Sequence, residues 1–499
     1  MSTTTGVLAI GTVTVATVLI GALAMRWSRT TSDFYVASRS VSPWLNASAI
    51  GGEYLSAASF LGVAGLVLLG GADMLWYPIG WTTGYLLLLV VVAAPLRRSG
   101  AYTIPDFAGW RMQSTAVRQV STVLVVAVGW LYLMPQFRGA GLTLQAVTGA
   151  PAWAGVLVVA TVVAALVASG GMRSVTLVQA FQYWLKLTAL LVPLVFLVIA
   201  WRADGSPGPL DAAEWALPAA DLGGARLYTA YAILVATCLG TMGLPHVVVR
   251  FYTNRDGAAA RRTTLIVLGL LGIFYLLPTA YGALGRVYAP DLATGELAET
   301  VVLELPGRML GTGAELLAAL LLAGAFAAFL STSSGLTMAI AGVVGQAIER
   351  RRWFEGRLVG VAAVRVAAAG CVVPPIALAL YGSEVSIAMS VTFAFALAAS
   401  TFCPLLVLGI WWSRLTRAGA LAGLVGGGVT AGTAPLVTIA LAPTGWTGLL
   451  VAQPALWSVP LAFALMVGVS LATPRSLPVA VDAAFARLHT PERPAAPHR

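Results

Sequence analysis

Long apolar segments follow one another along almost the whole chain and are separated by short polar loops. Each segment has about 20 residues or more, the length that a helix needs to cross the hydrocarbon core of a bilayer. Lipid offers no hydrogen-bond partner to the edge of an open sheet, so every segment is predicted to be helical. The pattern therefore predicts an all-α, polytopic membrane protein with thirteen transmembrane helices. The predicted spans, in chain order, are residues 6–26, 42–70, 74–96, 119–147, 152–170, 174–201, 227–249, 263–285, 311–346, 358–381, 385–411, 418–441 and 453–473.

The composition agrees with this pattern and excludes a water-soluble protein. Of the 499 residues, 59% are hydrophobic and 10% are charged, whereas a soluble domain carries about 25% charged residues. The predicted spans contain no nucleophile–base pair and no cluster of metal ligands, so we expect neither an enzyme nor a cofactor. The chain also has no phosphate loop of the GxxxxGKS/T form, which argues against a pump driven by ATP.

The basic residues indicate which loops face the cytoplasm. Most of the 29 arginine and lysine residues lie in the loops after spans 1, 3, 5, 7, 9 and 11 and in the tail. The positive-inside rule then places the N-terminus outside and the C-terminus in the cytoplasm. The net charge of +10 fits contact with the anionic inner leaflet of a bacterial cytoplasmic membrane, and no nucleic-acid partner is expected. Residues 474–499 are predicted to form a partly disordered cytoplasmic tail, without order beyond Leu488.

Two of the predicted helices carry interruptions rich in glycine and proline. The interruptions are residues 51–56, GGEYLS, in span 2 and residues 240–245, GTMGLP, in span 7. Spans 2–6 and 7–11 are two sets of five helices, and each interruption falls in the first helix of its set. Transporters bind solutes at the bilayer midplane between such paired helices, so we predict a solute site here, with Gly240 and Pro245 as gating positions. The alternative is that glycine and proline are simply common in membrane helices.

Charged side chains inside the predicted spans are candidates for function, because a charge in lipid is costly. Glu53 lies on the first interruption and could couple a cation, and Arg138 in span 4 could bind a substrate carboxylate through its guanidinium. Gln136 lies beside Arg138, and the hydroxyl of Thr241 is a further donor for a carboxylate. The alternative is that Glu53 and Arg138 pair with each other or with water.

Span 9 carries four consecutive hydroxyl residues, 331–334, in an otherwise apolar run. Hydroxyls in membrane helices usually bond to the previous turn or to a neighbouring helix. Na⁺ is a hard cation that prefers oxygen ligands, however, and two of these hydroxyls with carbonyls of a broken helix would form a site for it. The residues alone leave both interpretations open. Lys186 and Arg365 also fall inside spans and are weaker candidates.

Several local motifs resemble those of the sodium/solute symporter family, and in particular its acetate-permease branch. The resemblance extends over about residues 30–415, and the motifs together are far more specific than any one of them. They are DFYVA at 33–37, GEYLSAASFLG at 52–62, YTIPDF at 102–107, GGMRS at 170–174 and LGTMGLPH at 239–246.

The resemblance implies a LeuT-type fold, with a 5+5 inverted-repeat core and extra N-terminal and C-terminal helices. Residues 1–473 would then form a single transporter domain. Its predicted parts are the added N-terminal helix at 6–26, the two repeats at 42–201 and 227–411, and two C-terminal helices within 418–473.

The resemblance also implies which residues bind. The family's sodium site uses three carbonyls and two hydroxyls, which correspond here to the carbonyls of Gly52, Leu55 and Ala328 and the hydroxyls of Ser331 and Thr332. The chemistry of hydroxyls and the resemblance therefore choose the same part of span 9. Substrate in related members is contacted just after the first break, which corresponds to Ser56 and Ser59.

We therefore predict Na⁺-coupled uptake of a small monocarboxylate, such as acetate, propionate or pyruvate, by alternating access in a monomeric unit. A typical acetate permease lacks the span 9 hydroxyls, has a small apolar residue in place of Arg138, and has aspartate in place of Glu53. The added arginine would suit a larger or doubly charged acid. The alternatives are a symporter of the same fold for proline or another amino acid, a sugar or pantothenate, coupling to H⁺, and, in a different class, a channel or a membrane sensor.

Overall fold

The computed structural model of the chain describes residues 2–25, 34, 36–209, 215, 223–349, 360–381 and 387–492. The described part consists of α-helices joined by loops and by short 3-10 and π-helical turns. The α-helices of this part, in chain order, are α1 (Thr3–Met25), α2 (Pro43–Tyr54), α3 (Val63–Gly70), α4 (Trp76–Leu87), α5 (Ala93–Ser99), α6 (Ile104–Met112), α7 (Thr115–Thr148), α8 (Ala152–Ala203), α9 (Gly224–Gly243), α10 (Pro245–Val249), α11 (Gly257–Tyr288), α12 (Val301–Leu310), α13 (Glu315–Glu349), α14 (Val361–Cys371), α15 (Val373–Tyr381), α16 (Ile387–Trp411), α17 (Arg417–Leu441), α18 (Gly445–Ala452), α19 (Ala455–Ala472) and α20 (Val481–His489).

Eleven helical runs of the described part are long and apolar enough to cross a membrane. Two of them exceed the roughly 20 residues of a single span, since Ala58–Ser99 has 42 residues and Ala152–Ala203 has 52. Each contains a glycine with a left-handed backbone, Gly71 and Gly171, both at φ 59°, a conformation that costs other residues strain. The structure thus gives eleven candidate spans, and thirteen crossings stay a prediction that would require each long run to turn at its glycine.

The first predicted break lies directly after α2. Ser42 caps this helix by accepting a hydrogen bond from the amide of Leu45, and Pro43 occupies the first turn, where its missing amide hydrogen costs nothing. The helix ends at Tyr54, and a π-helical turn that starts at Ala58 leads into α3. The interruption therefore falls at residues 55 and 56, inside the predicted interval.

The second predicted break separates α9 from α10. Helix α9 ends at Gly243, Leu244 is extended with φ −67° and ψ 120°, and Pro245 starts α10. A 3-10 turn, Arg250–Thr253, follows. Both interruptions expected from the sequence are therefore present.

Helices α8 and α13 pack closely against α2, because glycines remove side chains at the contacts. A Cβ atom on Gly52 would lie 2.0 Å from the carbonyl oxygen of Gln179 in α8. A Cβ atom on Gly335 in α13 would lie 2.2 Å from the carboxyl carbon of Glu53. These approaches bring side chains of α8 and α13 into contact with the first break.

The tail after residue 473 is more ordered than predicted. It contains α20, and Leu488 of this helix is buried. Glu492 forms an ion pair of 3.3 Å with Arg98, which attaches the tail to α5. Order thus continues beyond Leu488 to residue 492, and residues 493–499 lie outside the described part.

Candidate functional site

The side chain of Lys186 reaches from α8 to the first break. Its Nζ atom lies 2.5 Å from the carbonyl oxygen of Gly52, 2.6 Å from that of Leu55 and 3.1 Å from Oγ of Ser331. Lys186 is buried, and an ammonium has three N–H donors, so each donor has an acceptor. These acceptors are three of the five oxygens predicted to bind Na⁺.

The two carbonyls can accept from Lys186 because the helix ends there. The amide of Ser56 donates to the carbonyl of Tyr54 at 2.9 Å, and the amide of Ser59 donates to the carbonyl of Ser56 at 3.0 Å. In a continuous α-helix each amide would donate to the carbonyl four residues earlier. The break therefore frees the carbonyls of Gly52 and Leu55 for a cation.

The other two predicted sodium ligands lie in the same place and have partners of their own. The hydroxyl of Thr332 donates to the carbonyl of Glu53 at 2.6 Å. The carbonyl of Ala328 accepts from Oγ of Ser331 at 3.1 Å. The structure thus brings all five residues of the predicted sodium site together, with the Lys186 ammonium among them.

A buried ion pair lies beside this cluster. Nε of Arg250 donates to Oε2 of Glu53 at 2.6 Å, and the two side chains are 1% and 2% exposed. Nη1 of Arg250 donates to Oγ1 of Thr176 at 2.8 Å, and Nη2 donates to Oε1 of Gln179. The partner of Glu53 is therefore Arg250, which corrects the sequence-based alternative that Glu53 pairs with Arg138.

With Lys186, Arg250 and Glu53 all ionised, their charges sum to one positive charge. Two unit charges about 4 Å apart repel by about 4 kcal/mol at an effective dielectric constant of 20. A sodium ion at the predicted ligands would meet this repulsion from the ammonium that contacts three of them. The residues as placed therefore do not accommodate Na⁺ and the Lys186 ammonium together.

Aromatic rings surround the chain just after the first break. Neighbouring ring centroids lie 4.8–6.5 Å apart. We call these residues the aromatic cluster: Tyr54, Trp81, Tyr85, Tyr132, Tyr275 and Phe395.

Four of the predicted substrate residues contact the aromatic cluster or the break itself. The hydroxyl of Tyr132 donates to Oγ of Ser56 at 3.3 Å, and the hydroxyls of Ser59 and Tyr275 share a hydrogen bond of 3.2 Å. Thr241 lies 2.6 Å from the hydroxyl of Tyr54. Oε1 of Gln136 accepts from the amide of Ala57 at 3.4 Å. All four predicted residues are buried, so the site is closed to solvent.

Several polar atoms of this region are buried and have no hydrogen-bond partner among the described residues. They are Nε1 of Trp81, the hydroxyl of Tyr85, Nε2 of Gln136 and both ring nitrogens of His246. His246 belongs to the same region, since its ring lies edge-on to that of Tyr132 at 5.4 Å. A buried polar group without a partner costs free energy. The concentration of such groups points to a ligand that pairs with them.

Arg138 lies elsewhere. Its side chain lines a pocket with Trp153 and Tyr381, which are 53% and 88% exposed. Gln136 and Arg138 are two residues apart on α7 and therefore project about 200° apart around the helix. Since Gln136 is buried at the break, Arg138 faces the perimeter, and the structure does not bring it to the predicted substrate residues.

The sequence patterns make Lys186 only a weak candidate for the site, although the composition singles it out. The chain has 28 arginines and a single lysine, and that lysine lies inside a predicted span. Arg250 directly follows span 7, the second span with a predicted break. Counting basic residues by loop therefore assigns Arg250 to a loop and not to the site. The aromatic cluster has no comparable signal, because its six members come from five helices that are far apart along the chain.

Comparisons with known proteins agree with this architecture. A sequence model of the sodium:solute symporter family matches residues 34–427. The chain is 31% identical over 441 residues to the uncharacterized symporter YwcA of Bacillus subtilis, with 86% of this chain and 85% of that protein covered. It is also 31% identical over 494 residues to a monocarboxylic acid transporter of Corynebacterium glutamicum, with 88% of this chain and 87% of that protein covered.

Two solved structures share the fold. A Na⁺-coupled sialic acid symporter, substrate-bound and outward-open, superposes with a TM-score of 0.73 at 12% identity, covering 94% of this chain and 97% of its own. Mhp1, a nucleobase-cation-symport-1 family transporter in a closed conformation with bromovinylhydantoin bound, superposes with a TM-score of 0.57 at 13% identity, covering 91% and 98%. At these identities the likeness shows the fold alone.

Proposed function

The chain belongs to the sodium:solute symporter family, and on that premise we propose that it carries a small monocarboxylate, such as acetate, propionate or pyruvate, into a bacterial cell together with a cation. The family and the two relatives are transporters rather than enzymes. The mechanism is alternating access, in which a site at the two helix breaks opens to one side of the cytoplasmic membrane at a time.

The observation that carries the proposal is the set of unpaired donors near the aromatic cluster. The oxygens of a carboxylate only accept hydrogen bonds, and an indole N–H and an amide NH₂ only donate them. Nε1 of Trp81 and Nε2 of Gln136 are buried and unpaired among the described residues. A carboxylate bound there would form charge-assisted hydrogen bonds with them, and the rings would cover its short apolar part.

Other solutes of the same fold fit this region less well. Proline or another amino acid brings an ammonium that needs an acceptor. The carboxylate at the first break, that of Glu53, already forms an ion pair with Arg250 through Oε2, so only its Oε1, which is unpaired among the described residues, could accept from that ammonium. A sugar brings hydroxyls that donate as well as accept, whereas two of the unpaired side chains here are donors only. The name of the Corynebacterium relative supports a monocarboxylate.

We infer that the coupling cation acts at the first break. Na⁺ is the ion predicted from the sequence, and the family's name and the Na⁺-coupled structural neighbour support it. The five predicted ligands lie together, although Lys186 contacts three of them. A positive charge at this position would strengthen binding of an anion nearby, which couples the two sites energetically.

Thirteen crossings, with the N-terminus outside and the C-terminus in the cytoplasm, complete the proposal. The 5+5 repeat of spans 2–6 and 7–11 is supported by the equivalent breaks after α2 and α9. The added N-terminal helix and the two C-terminal helices after residue 417 lie outside this core. The transport unit is a monomer in this proposal.

Uptake into proteoliposomes tests the proposed substrate. The purified protein should accumulate labelled acetate, propionate or pyruvate with saturable kinetics, and the unlabelled acids should compete with one another. Labelled proline and glucose serve as parallel controls and should stay outside. Uptake of proline or glucose without any monocarboxylate would contradict the proposed substrate, and a flux that does not saturate would contradict a transporter mechanism.

A further inference from the structure

We propose that the ammonium of Lys186 takes the place of Na⁺ in the coupling site, so that transport by this chain does not require Na⁺. The inference rests on the proposed function in locating the coupling cation at the first break. Its basis is the contact of Nζ with two backbone carbonyls and one hydroxyl, at 2.5, 2.6 and 3.1 Å. The three acceptors belong to the set that the family resemblance assigns to sodium.

The ammonium matches this position in charge and in hydrogen bonding. It carries one positive charge, as Na⁺ does, and its three donors meet three oxygens. The carbonyls of Gly52 and Leu55 are released by the end of α2, and Oγ of Ser331 remains an acceptor because its proton goes to the carbonyl of Ala328. The lysine therefore satisfies oxygens that the helix break would leave without partners.

The residue type at position 186 supports a specific role for a compact cation. The chain uses arginine for 28 of its 29 basic residues. The planar guanidinium of arginine suits bidentate partners in one plane, whereas an ammonium is a point charge with three rotatable donors. The single lysine of the chain lies where three oxygens converge, an arrangement that suits a compact ammonium.

Two further oxygens near Lys186 are engaged with neighbouring groups. The hydroxyl of Thr332, another predicted sodium ligand, is turned toward the carbonyl of Glu53. Oε2 of Glu53 is paired with Arg250, whereas Oε1 of the same carboxylate has no partner among the described residues. Gly52 lies against the backbone of Gln179, so α2 cannot shift closer to α8.

The tethered ammonium has a direct consequence for transport. A bound Na⁺ joins the broken helix to its neighbours and leaves with the substrate, whereas Lys186 joins α2 to α8 and α13 and stays with the protein. Substrate binding then needs no Na⁺, and the cation that moves together with the substrate is one other than Na⁺.

Exchange of labelled for unlabelled acetate in proteoliposomes tests the inference, because exchange needs no ion gradient. Wild-type exchange should proceed at the same rate in sodium-based and in sodium-free choline-based buffer. Lys186→Ala should lower exchange by about tenfold or more in choline, since a lost hydrogen bond to a charged group costs this much, and Na⁺ should restore it with saturation. A wild-type protein that requires Na⁺ for exchange would overturn the inference.

Binding of radioactive Na⁺ to the purified protein gives a readout that does not depend on the substrate. The wild type should bind no Na⁺ at this site, and Lys186→Ala should bind it and gain thermal stability with increasing Na⁺. Lys186→Ser, which removes the ammonium and leaves a small hydroxyl side chain, replaces the alanine variant if that one does not fold. Arg365→Ala is the matched control, because Arg365 is another cation inside a predicted span. Its side chain is exposed and donates to the carbonyl of Ala168 at 2.9 Å. Its loss should therefore create no Na⁺ binding.

The two proposals can fail separately. If no monocarboxylate is exchanged in either buffer, the proposed function is wrong, and the Na⁺-binding measurement still decides the role of Lys186. If the wild type binds Na⁺ as tightly as Lys186→Ala does, the ammonium does not replace sodium, whatever the substrate.

Discussion

Arg250 donates to the carboxylate of Glu53 across 2.6 Å and thereby joins the two broken helices of the chain. Glu53 lies in the last turn of α2, just before the first break, and Arg250 follows α10, just after the second. The same guanidinium contacts Thr176 and Gln179 of α8. One buried ion pair therefore holds both breaks against a third helix.

Removal of one partner of this pair should destabilise the protein strongly. Glu53→Gln or Arg250→Met leaves an uncompensated buried charge, which costs about 3–5 kcal/mol. The double variant should recover part of this loss, because neither member of the ion pair is then left buried without the other. Thermal unfolding of the three purified variants in detergent measures the effect.

The exposed pair between Arg308 and Asp291 provides the control for this experiment. The pair has a short distance, 2.5 Å, but its side chains are 31% and 60% exposed, so water screens the interaction. Arg308→Gln should therefore change the melting temperature little. If Arg250→Met proved as mild as Arg308→Gln, the buried pair would not support the breaks as described.

Removal of unpaired donors should weaken substrate binding more than it changes stability. Trp81→Phe deletes an atom that has no partner among the described residues, so folding loses no hydrogen bond. Gln136→Leu deletes the unpaired Nε2 and also Oε1, which accepts from the amide of Ala57 at 3.4 Å, so a small loss of stability accompanies it. A hydrogen bond to a carboxylate contributes about 1.5–3 kcal/mol, which corresponds to roughly a tenfold to hundredfold rise in KM for acetate. Parallel measurements of KM and melting temperature distinguish this role from a structural one. An unchanged KM in both variants would place the carboxylate elsewhere.

Arg138 should not contribute to substrate affinity. Its side chain lines a pocket with exposed residues at the perimeter, away from the predicted substrate residues. Arg138→Gln should therefore leave the KM for acetate or pyruvate unchanged, in contrast to what its residue type suggests. A KM raised as much as in Gln136→Leu would show that Arg138 reaches the substrate in another conformation.

The close contact at Gly52 should not tolerate a side chain. Gly52→Ala would bring Cβ within 2.0 Å of the carbonyl oxygen of Gln179, a backbone atom that cannot move alone. Overpacking of this kind costs about 1–3 kcal/mol and would displace α2 from α8, so transport should be lost. Gly269→Ala in α11 is the control, because its Cβ would meet nothing within 4 Å. Transport assays and melting temperatures of the two variants should differ clearly.

Cysteine labelling in intact cells tests the proposed orientation. The three native cysteines are buried, so they add little background. A cysteine at Arg261 should react with a membrane-impermeant maleimide only after the cells are opened, and one at Glu304 should react in intact cells. The reverse result would place the N-terminus in the cytoplasm.

The helices and their two breaks could be predicted because they depend on local chemistry. The length of an apolar run decides whether it can span lipid, and glycine and proline act on the backbone where they stand. The second interruption was therefore found at Leu244–Pro245, inside the predicted interval. The left-handed backbone at Gly71 and Gly171 is also local, since both glycines lie between predicted spans.

Gln136 and Arg138 lie on opposite faces of α7, and residue type alone did not predict this difference. Both were assigned to the substrate from their residue types, although the helical period puts them on different faces. Sequence shows that the two faces differ, but only packing against the first break decides which face is interior. The hydrogen bond from the amide of Ala57 to Gln136 shows that the face of Gln136 is the interior one.

By itself the sequence determined the helical membrane architecture, the places where two helices break, and the grouping of Gly52, Leu55, Ala328, Ser331 and Thr332, which family resemblance identified. Only the tertiary structure decided which side chains contact these residues. Lys186 reaches oxygens that are 131, 134 and 145 residues away along the chain, and Arg250 reaches Glu53 across 197 residues. Local chemistry sets the backbone at each position, but contacts at such separations exist only once helices have packed, so the cation at the first break could not be read from the sequence.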